Sequence, residues 1–89
     1  MNYEVVWDVV AYRKLEQIWD AAEDLGPAVD AFDEIERRLA SDDPDNQGES
    51  RPHGRRILIV PPLGVLFRAQ PRLKEVYVLD VWAFGPRKQ

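Results

Sequence analysis

The stretch RRILIVPPLGVLFRAQPRLKEVYVLDVWAF, residues 55–84, decides the fold of this chain. It contains three runs rich in β-branched and aromatic residues, which favour strands: residues 55–60, 65–69 and 75–84. A Pro-Pro-Leu-Gly segment separates the first two runs, and residues 70–74 are predicted to form a turn. The sequence therefore predicts a three-stranded antiparallel meander. Its last and most apolar strand should be central and buried on both faces.

The residues before the meander have a helical period. Residues 3–7 form a short strand candidate, and Asp8 is suited to cap a helix that follows it. We expect Gly26-Pro27 to end this first helix, with Pro27 in the first turn of a second helix. The short link predicts an antiparallel helix hairpin. The expected core positions are Ala11, Leu15, Ile18, Trp19 and Ala22 in the first helix and Val29, Phe32, Ile35 and Leu39 in the second.

Residues 41–54 are rich in turn-forming residues and have no apolar periodicity, so they are predicted to be a surface loop. An 89-residue chain can bury one small core. The sequence therefore predicts a single α+β domain over residues 1–89. It begins with a strand, and the helix hairpin packs on one face of a twisted, mainly antiparallel four-stranded sheet.

Charge is divided between the two halves of the chain. Residues 1–49 contain 4 Lys and Arg against 14 Asp and Glu, whereas residues 50–89 contain 8 against 2. The overall charge of −4 hides this division. A basic segment in an acidic protein can present a cationic surface to a phosphate backbone or to an acidic partner. The simpler interpretation is that helices favour acidic first turns and that strand edges favour Lys and Arg.

Composition also limits the class of protein. There is no cysteine, which excludes disulfides and thiolate metal sites. The single histidine, His53, lies in the Pro/Gly-rich loop without a second ligand pattern, so no metal and no cofactor are predicted. The first ten residues lack the features of a signal peptide, and no apolar run approaches the ~20 residues of a membrane span. We expect a soluble, cytoplasmic domain that does not enter a membrane.

Four segments together carry a resemblance. Residues 7–22, WDVVAYRKLEQIWDAA, contain an L-E-x-I-[YW]-D signature after a polar helix cap, and AVDAFDEIERRLA follows as the second helix. RRILIVPPLGVLFRA and EVYVLDVW then supply a hairpin and a last strand. In this order and spacing the chain resembles the RelE/ParE toxin superfamily, also known as plasmid stabilisation proteins, over nearly its whole length.

The resemblance implies a toxin-like component of a type II toxin–antitoxin system, neutralised by a cognate antitoxin. RelE-like members cut mRNA on the ribosome without a metal, and ParE-like members poison DNA gyrase without nuclease chemistry. RelE-like nucleases use an arginine after the hairpin, a second arginine after the last strand, and a nearby Tyr or His. Here the first position falls on Gly64, with Arg68 four residues later, and no Tyr or His follows Tyr77. Because this set is incomplete, the resemblance favours a ParE-like, protein-binding role. The alternatives are a RelE-type endonuclease and a degenerate interaction module.

The predicted surface for a protein partner or a nucleic acid comprises Arg68, Arg72, Lys74, Trp82, Arg87 and Lys88. On a strand, Arg68 either faces phosphate or an acidic partner, or pairs with an acid on the helices. Asp80 is unusual inside an apolar strand, so it either pairs with a buried arginine such as Arg68 or faces a polar groove. Trp82 is either a partner anchor or a core residue. The hypothesised partner is the antitoxin's C-terminal segment, bound in a salt-sensitive manner.

Overall fold

The computed structural model describes residues 2–41 and 43–84. Two α-helices and five strands are formed: β1 (Glu4–Trp7), α1 (Val9–Ala21), α2 (Leu25–Leu39), β2 (Glu49–Arg51), β3 (Arg55–Val60), β4 (Leu63–Gln70) and β5 (Glu75–Ala83). Short 3₁₀ turns at Pro44–Asn46 and Pro52–Gly54 flank β2. The strand order is β1-β5-β4-β3-β2, with β1 parallel to β5 and every other pair antiparallel. The predicted α+β class and the meander are confirmed.

The sheet has five strands rather than the predicted four, because part of the expected surface loop forms β2. This strand contains no apolar residue, so its sequence has no strand period. Two other features hold it in place. The Arg56 guanidinium donates to the carbonyls of Gln47 and Gly48 at 2.8 and 3.0 Å. Gly48 adopts a positive φ of 71°, which brings its backbone against that of Ile57.

A single core joins both helices to one face of the sheet. Alternate residues of a strand point to opposite faces, and the buried residues of β3, β4 and β5 follow that alternation. The buried cluster includes Ala11, Leu15, Ala31, Ile35, Leu39, Leu58, Leu63, Val65, Phe67, Val76, Val78 and Val81. Trp19 and Phe32 pack edge to face beside it, with ring centroids 5.9 Å apart. The opposite side of the sheet has no helix of the described chain against it, and we call it the open face.

Two details of the helices differ from the sequence-based expectation. Helix α1 ends at Ala21 and α2 begins at Leu25, because the Asp24 carboxylate accepts from the Gly26 amide at 3.0 Å and caps α2. The Gly-Pro pair therefore lies inside the first turn of α2. The second difference is that Val29 is 41% exposed. Small alanines at positions 28 and 31 are buried instead.

Strand β5 lies between β1 and β4, as expected for a central strand. It is buried on one face only, so the prediction of two-sided burial was wrong. Leu66 pairs with Asp80 while Phe67 pairs with Val78, which leaves Leu79 as the extra residue of a β-bulge. The bulge shifts the alternation by one residue. As a result Val78 and Val81, three positions apart, both face the core.

Candidate functional site

The open face combines charged and apolar side chains. The residues of this face are identified from the alternation along each strand and from the cross-strand registers, since directly paired residues share a face. Its members on the four antiparallel strands are Glu49, Arg51, Arg55, Ile57, Ile59, Gly64, Leu66, Arg68, Gln70, Glu75, Tyr77, Asp80 and Trp82. Glu4 and Val6 extend the face onto β1. Within this surface, arginines are concentrated at one end of the strands, and the neighbouring apolar side chains of Ile57 and Leu66 have Glu49 and Asp80 beside them.

Three arginines cross the open face on neighbouring strands. Arg51 pairs with Arg55 in the β2–β3 register. The β3–β4 register pairs Arg56 with Phe67, so the next residues outward, Arg55 and Arg68, face each other. Adjacent strands are about 4.8 Å apart, so the three side chains form a row, which we call the arginine row (Arg51, Arg55 and Arg68). Like charges directly opposite in a sheet are destabilising, and an anionic ligand would relieve the repulsion.

The positive charges of the arginine row are balanced only in part by groups of the described chain. Arg51 donates to the Glu49 carboxylate at 3.3 Å. Arg68 has a neutral partner: with the Gln70 amide turned so that its oxygen accepts, Nη2 and Nε donate at 2.6 and 3.3 Å. Arg55 makes no side-chain hydrogen bond or ion pair to the part of the chain that the structure describes, and all three residues are exposed. The guanidinium groups of Arg55 and Arg68 therefore remain available to an external carboxylate or phosphate.

An apolar band lies beside the arginine row. We call it the sheet patch, made of Ile57, Ile59, Leu66 and Trp82. Ile59 is 52% exposed, although it lies on β3, which has a neighbouring strand on each side. The Trp82 indole lies over Gly64, where an added Cβ would come within 2.6 Å of its ring atoms. Any side chain larger than hydrogen at position 64 would therefore displace the indole.

Tyr77 lies directly opposite Arg68 on the open face. Its phenol donates to the Glu75 carboxylate, and this bond raises the pKa of Tyr77, with further contributions from desolvation and from the negative charges of Glu75 and Glu4. The nearby Arg68 opposes the increase. The phenol is therefore neutral at physiological pH, when it can donate a proton but is poorly suited to accept one.

This pKa shift predicts a pH dependence. In the unfolded chain the phenol ionises near its ordinary value of about 10. In the folded chain it stays protonated to higher pH, so its contribution to stability is complete below about pH 10 and is lost as pH rises through the raised pKa. We expect Tyr77→Phe to lessen the fall in the free energy of unfolding between pH 9 and 11, measured by urea denaturation. The Tyr12→Phe variant is the control, and an identical fall in all three proteins would contradict the assignment.

The residues singled out from the sequence are only partly brought together. Arg68 and Trp82 both lie on the open face, toward opposite ends of the sheet. Arg72 and Lys74 lie in the turn between β4 and β5, and the Lys74 ammonium lies 5.1 Å from the centroid of the Tyr3 ring. The two remaining candidates, Arg87 and Lys88, lie outside the described residues.

Of the two alternatives for Asp80, a buried arginine partner such as Arg68 or a polar groove, the pairing with Arg68 is not formed. The Asp80 carboxylate accepts from the Lys14 ammonium of α1 at 2.5 Å. Strand β1 pairs with β5 only as far as Val78, so α1 reaches the strand edge beyond that point. Both side chains are about two-fifths exposed, which makes this a surface pair rather than a buried one. Arg68 is consequently free of the internal partner that the sequence suggested.

Sequence reasoning did not find Arg51 and Arg55 as members of a site. Arg55 is only the first residue of a predicted strand, and Arg51 lies in the predicted surface loop of residues 41–54. The pattern that indicates their pairing is ESRPHGRR, residues 49–56, in which polar residues stand on both sides of a turn containing glycine. His53 and Gly54 both adopt positive φ there, at 66° and 74°. The turn returns the chain so that the two arginines face each other.

Comparison with solved structures places this architecture among known proteins. A chain from the chromosomal ParDE toxin–antitoxin system of P. aeruginosa superposes with a TM-score of 0.69 and 24% sequence identity, over 93% of this chain and 97% of that chain. A chain from the RelBE2 toxin–antitoxin complex of Mycobacterium tuberculosis superposes with a TM-score of 0.66 and 18% sequence identity, over 93% of this chain and 92% of that chain. The fold is that of the RelE/ParE toxins. No family model and no curated protein matches the sequence.

The RelE/ParE-like fold explains the element order that the sequence resemblance suggested. The strand registers place the arginine row and the sheet patch on one surface of that fold. Among the described residues, no group of three His, Cys, Asp or Glu side chains is arranged to hold a metal ion. None of the described helices combines the length and the apolar character needed to cross a membrane.

Proposed function

We propose that this protein is the toxin-like component of a type II toxin–antitoxin pair. It acts in the cytoplasm by binding a protein target, in the manner of ParE, and a cognate antitoxin neutralises it. The observation that carries the proposal is the arginine row beside the sheet patch, on the open face of a RelE/ParE-like fold. A cationic band next to an exposed apolar band suits an acidic, amphipathic protein segment.

The chemistry of the open face supports binding more than nuclease activity. RNA cleavage through the 2′-hydroxyl needs a group that takes a proton, a group that gives one, and cations that stabilise the phosphorane. Arg68 can supply a cation, but Gly64 is covered by the Trp82 ring and supplies nothing. The Tyr77 phenol is held protonated by Glu75. The phenol is therefore poorly suited to accept a proton, and the Glu75 carboxylate, which could accept one, is already engaged by that phenol.

Expression without an antitoxin tests the proposal. Inducible expression of the chain alone should arrest bacterial growth, and primer extension on cellular mRNA should reveal no new 5′ ends. Growth arrest with inhibition of DNA supercoiling in the same cells would identify gyrase as the target. Normal growth at high expression of folded protein would overturn the toxin proposal and would favour a non-toxic interaction module.

The arginine row gives a specific prediction for that assay. The double variant Arg55→Ala, Arg68→Ala should lose growth arrest and should bind its partner at least tenfold more weakly, because both uncompensated charges are removed. Its melting temperature should be nearly unchanged, since neither side chain has an acidic partner in the described chain. Arg37→Ala on α2 is the matched control and should behave as wild type, because among the described residues Arg37 pairs only with Glu34 of the same helix.

A ribosome-dependent mRNA endonuclease is the second candidate, and one observation favours it: Arg68 and Tyr77 are direct cross-strand neighbours. The two functions respond differently to Tyr77→Phe. A nuclease that transfers a proton through the phenol should lose at least a hundredfold in cleavage rate. A protein-binding toxin should retain growth arrest, because phenylalanine preserves most of the contact area. New 5′ ends that disappear in Tyr77→Phe would replace the first proposal by the second.

A further inference from the structure

A pocket lies at the edge of the sheet, between the end of β5 and the helix hairpin. It has a volume of about 450 Å³ and is lined by the second half of α1, the link to α2, the β3–β4 turn and the end of β5. Small-molecule sites usually have volumes of roughly 300–1,000 Å³. We infer that this pocket, which we call the edge pocket, binds a small aromatic amine. The inference goes beyond the proposed function and does not depend on it, because no residue of the arginine row lines the pocket.

The edge pocket exists because β1 is shorter than β5. Strand β1 pairs with β5 only as far as Val78, and no described strand lies next to β5 beyond that point. The helices that cover this edge present small side chains, namely Ala21, Ala22 and Ala28. Bulkier residues at these positions would fill the space. The Trp82 indole adds an aromatic wall, so the pocket suits a flat aromatic body.

The backbone of β5 contributes hydrogen-bond acceptors to the edge pocket. The Phe84 amide donates to the Pro62 carbonyl at 2.8 Å, which fixes the phase of the β4–β5 ladder. In an antiparallel ladder the residues at odd positions before such a pair direct their polar groups away from the partner strand. The carbonyls of Val81 and Ala83, which both line the pocket, therefore face the edge that β1 leaves uncovered. The Val81 amide is already used, since it donates to the Asp80 carboxylate at 2.8 Å.

The helix end of the edge pocket is negative. Helix α1 has no basic residue in its last turn, and its C-terminus carries a partial negative charge. Glu23 and Asp24 follow it and line the pocket. The Asp24 carboxylate caps α2 through one oxygen and retains further lone pairs for a second donor. Lys14 also lines the pocket, but the Asp80 carboxylate 2.5 Å away offsets its charge.

These polar groups select the charge of the ligand. The edge pocket is rich in carbonyl and carboxylate acceptors, and an ammonium donates three hydrogen bonds and accepts none. A cation at the helix end also interacts favourably with the α1 terminus and with two carboxylates. A ligand carboxylate would meet repulsion in the same place. The ligand therefore places its aromatic ring between the alanines and Trp82 and its ammonium near Asp24.

Three indole compounds that differ in charge test the inference. Tryptamine is a cation at neutral pH, tryptophol replaces the amine by a neutral hydroxyl on the same two-carbon chain, and indoleacetate is an anion. Each is titrated into the isotope-labelled full-length chain, and NMR chemical shifts report both the affinity and the site. The Asp24→Asn variant removes one negative charge but keeps the cap of α2, because asparagine caps helices as well as aspartate does. Asp33→Asn, the same change on α2 outside the pocket, is the control.

We expect tryptamine to bind about tenfold more tightly than tryptophol, because hydrogen bonds to charged groups are the stronger ones, and indoleacetate to bind most weakly. Shifts should centre on residues 17–28, 62–63 and 81–83. Asp24→Asn should weaken tryptamine binding about fivefold and leave tryptophol unchanged, whereas Asp33→Asn should match wild type. Equal affinities of tryptamine and tryptophol, shifts centred elsewhere, or identical behaviour of the two variants would overturn the inference. Growth arrest plays no part in this test, so its failure would leave the proposed function standing.

Discussion

Replacing Phe67 by alanine should destabilise the protein by about 3–5 kcal/mol. The ring is completely buried and lies among the core residues between β4 and the helices. Its removal loses apolar burial and leaves a cavity that the surrounding strands can fill only in part. Small domains have a total stability of about 5–15 kcal/mol, so much of the margin would be lost. Urea denaturation monitored by tryptophan fluorescence measures the change.

Phe84→Ala is the matched control for this prediction. The same aromatic ring is removed, but Phe84 is 41% exposed and follows the end of β5. Its removal should cost less than about 1 kcal/mol, in line with substitutions outside the core. Equal effects of the two substitutions would mean that the packing assigned to β4 is incorrect. The comparison also separates loss of stability from loss of binding, because neither ring belongs to the arginine row.

The second large effect is expected at Gly48. An alanine Cβ there would lie 2.0 Å from the carbonyl oxygen of Ile57, a backbone atom that cannot rotate away. The positive φ of 71° adds strain for any residue with a side chain. We expect Gly48→Ala to destabilise the protein by about 3 kcal/mol, combining overpacking with backbone strain. Because β2 must move away from β3, Arg51 should also leave the arginine row.

Gly54→Ala separates these two causes. Gly54 has nearly the same φ, 74°, but no atom lies within 4 Å of the position that its Cβ would take. The Gly54→Ala variant should therefore be destabilised by the backbone strain alone, about 1 kcal/mol, and the register of β2 should stay intact. Amide hydrogen exchange of residues 49–57 provides a direct reading, since faster exchange is expected in Gly48→Ala alone. Similar stability and exchange in both variants would contradict the close backbone contact at Gly48.

The parts of the fold that were predictable are those with a local period. In residues 55–84, apolar side chains alternate with polar ones or form short runs, and both patterns indicate strands. The predicted N-cap is also present, since the Asp8 carboxylate accepts from the Val10 amide at 3.1 Å. Strand β2 escaped prediction because side-chain donors of Arg56 and the conformation of Gly48 hold it, and neither leaves an apolar pattern. The Lys14 partner of Asp80 was not predictable, because Lys14 is 66 residues away in sequence and reaches Asp80 through tertiary packing.

The residues of the candidate site also divide into those that a local pattern indicates and those that depend on strand pairing. Arg68 was identified from its place on a strand, and the open-face position of Trp82 follows from the register with Gly64. Arg51 and Arg55 depended on knowing that β2 pairs with β3, since only the register reveals that they face each other. A charge count shows that the second half of the chain is basic. It does not show which cations share a face, because that requires the cross-strand pairing.

The pairing of β1 with β5 imposes an order in time on the assembly of this protein. Glu4 pairs with Glu75 across the parallel register, so the first strand must wait until more than seventy further residues have been synthesised. At about 5–20 residues per second this delay lasts several seconds. The hairpins that carry the arginine row involve short loops and can form earlier. During synthesis, therefore, the arginine row can exist before the core that gives it a lasting shape is closed.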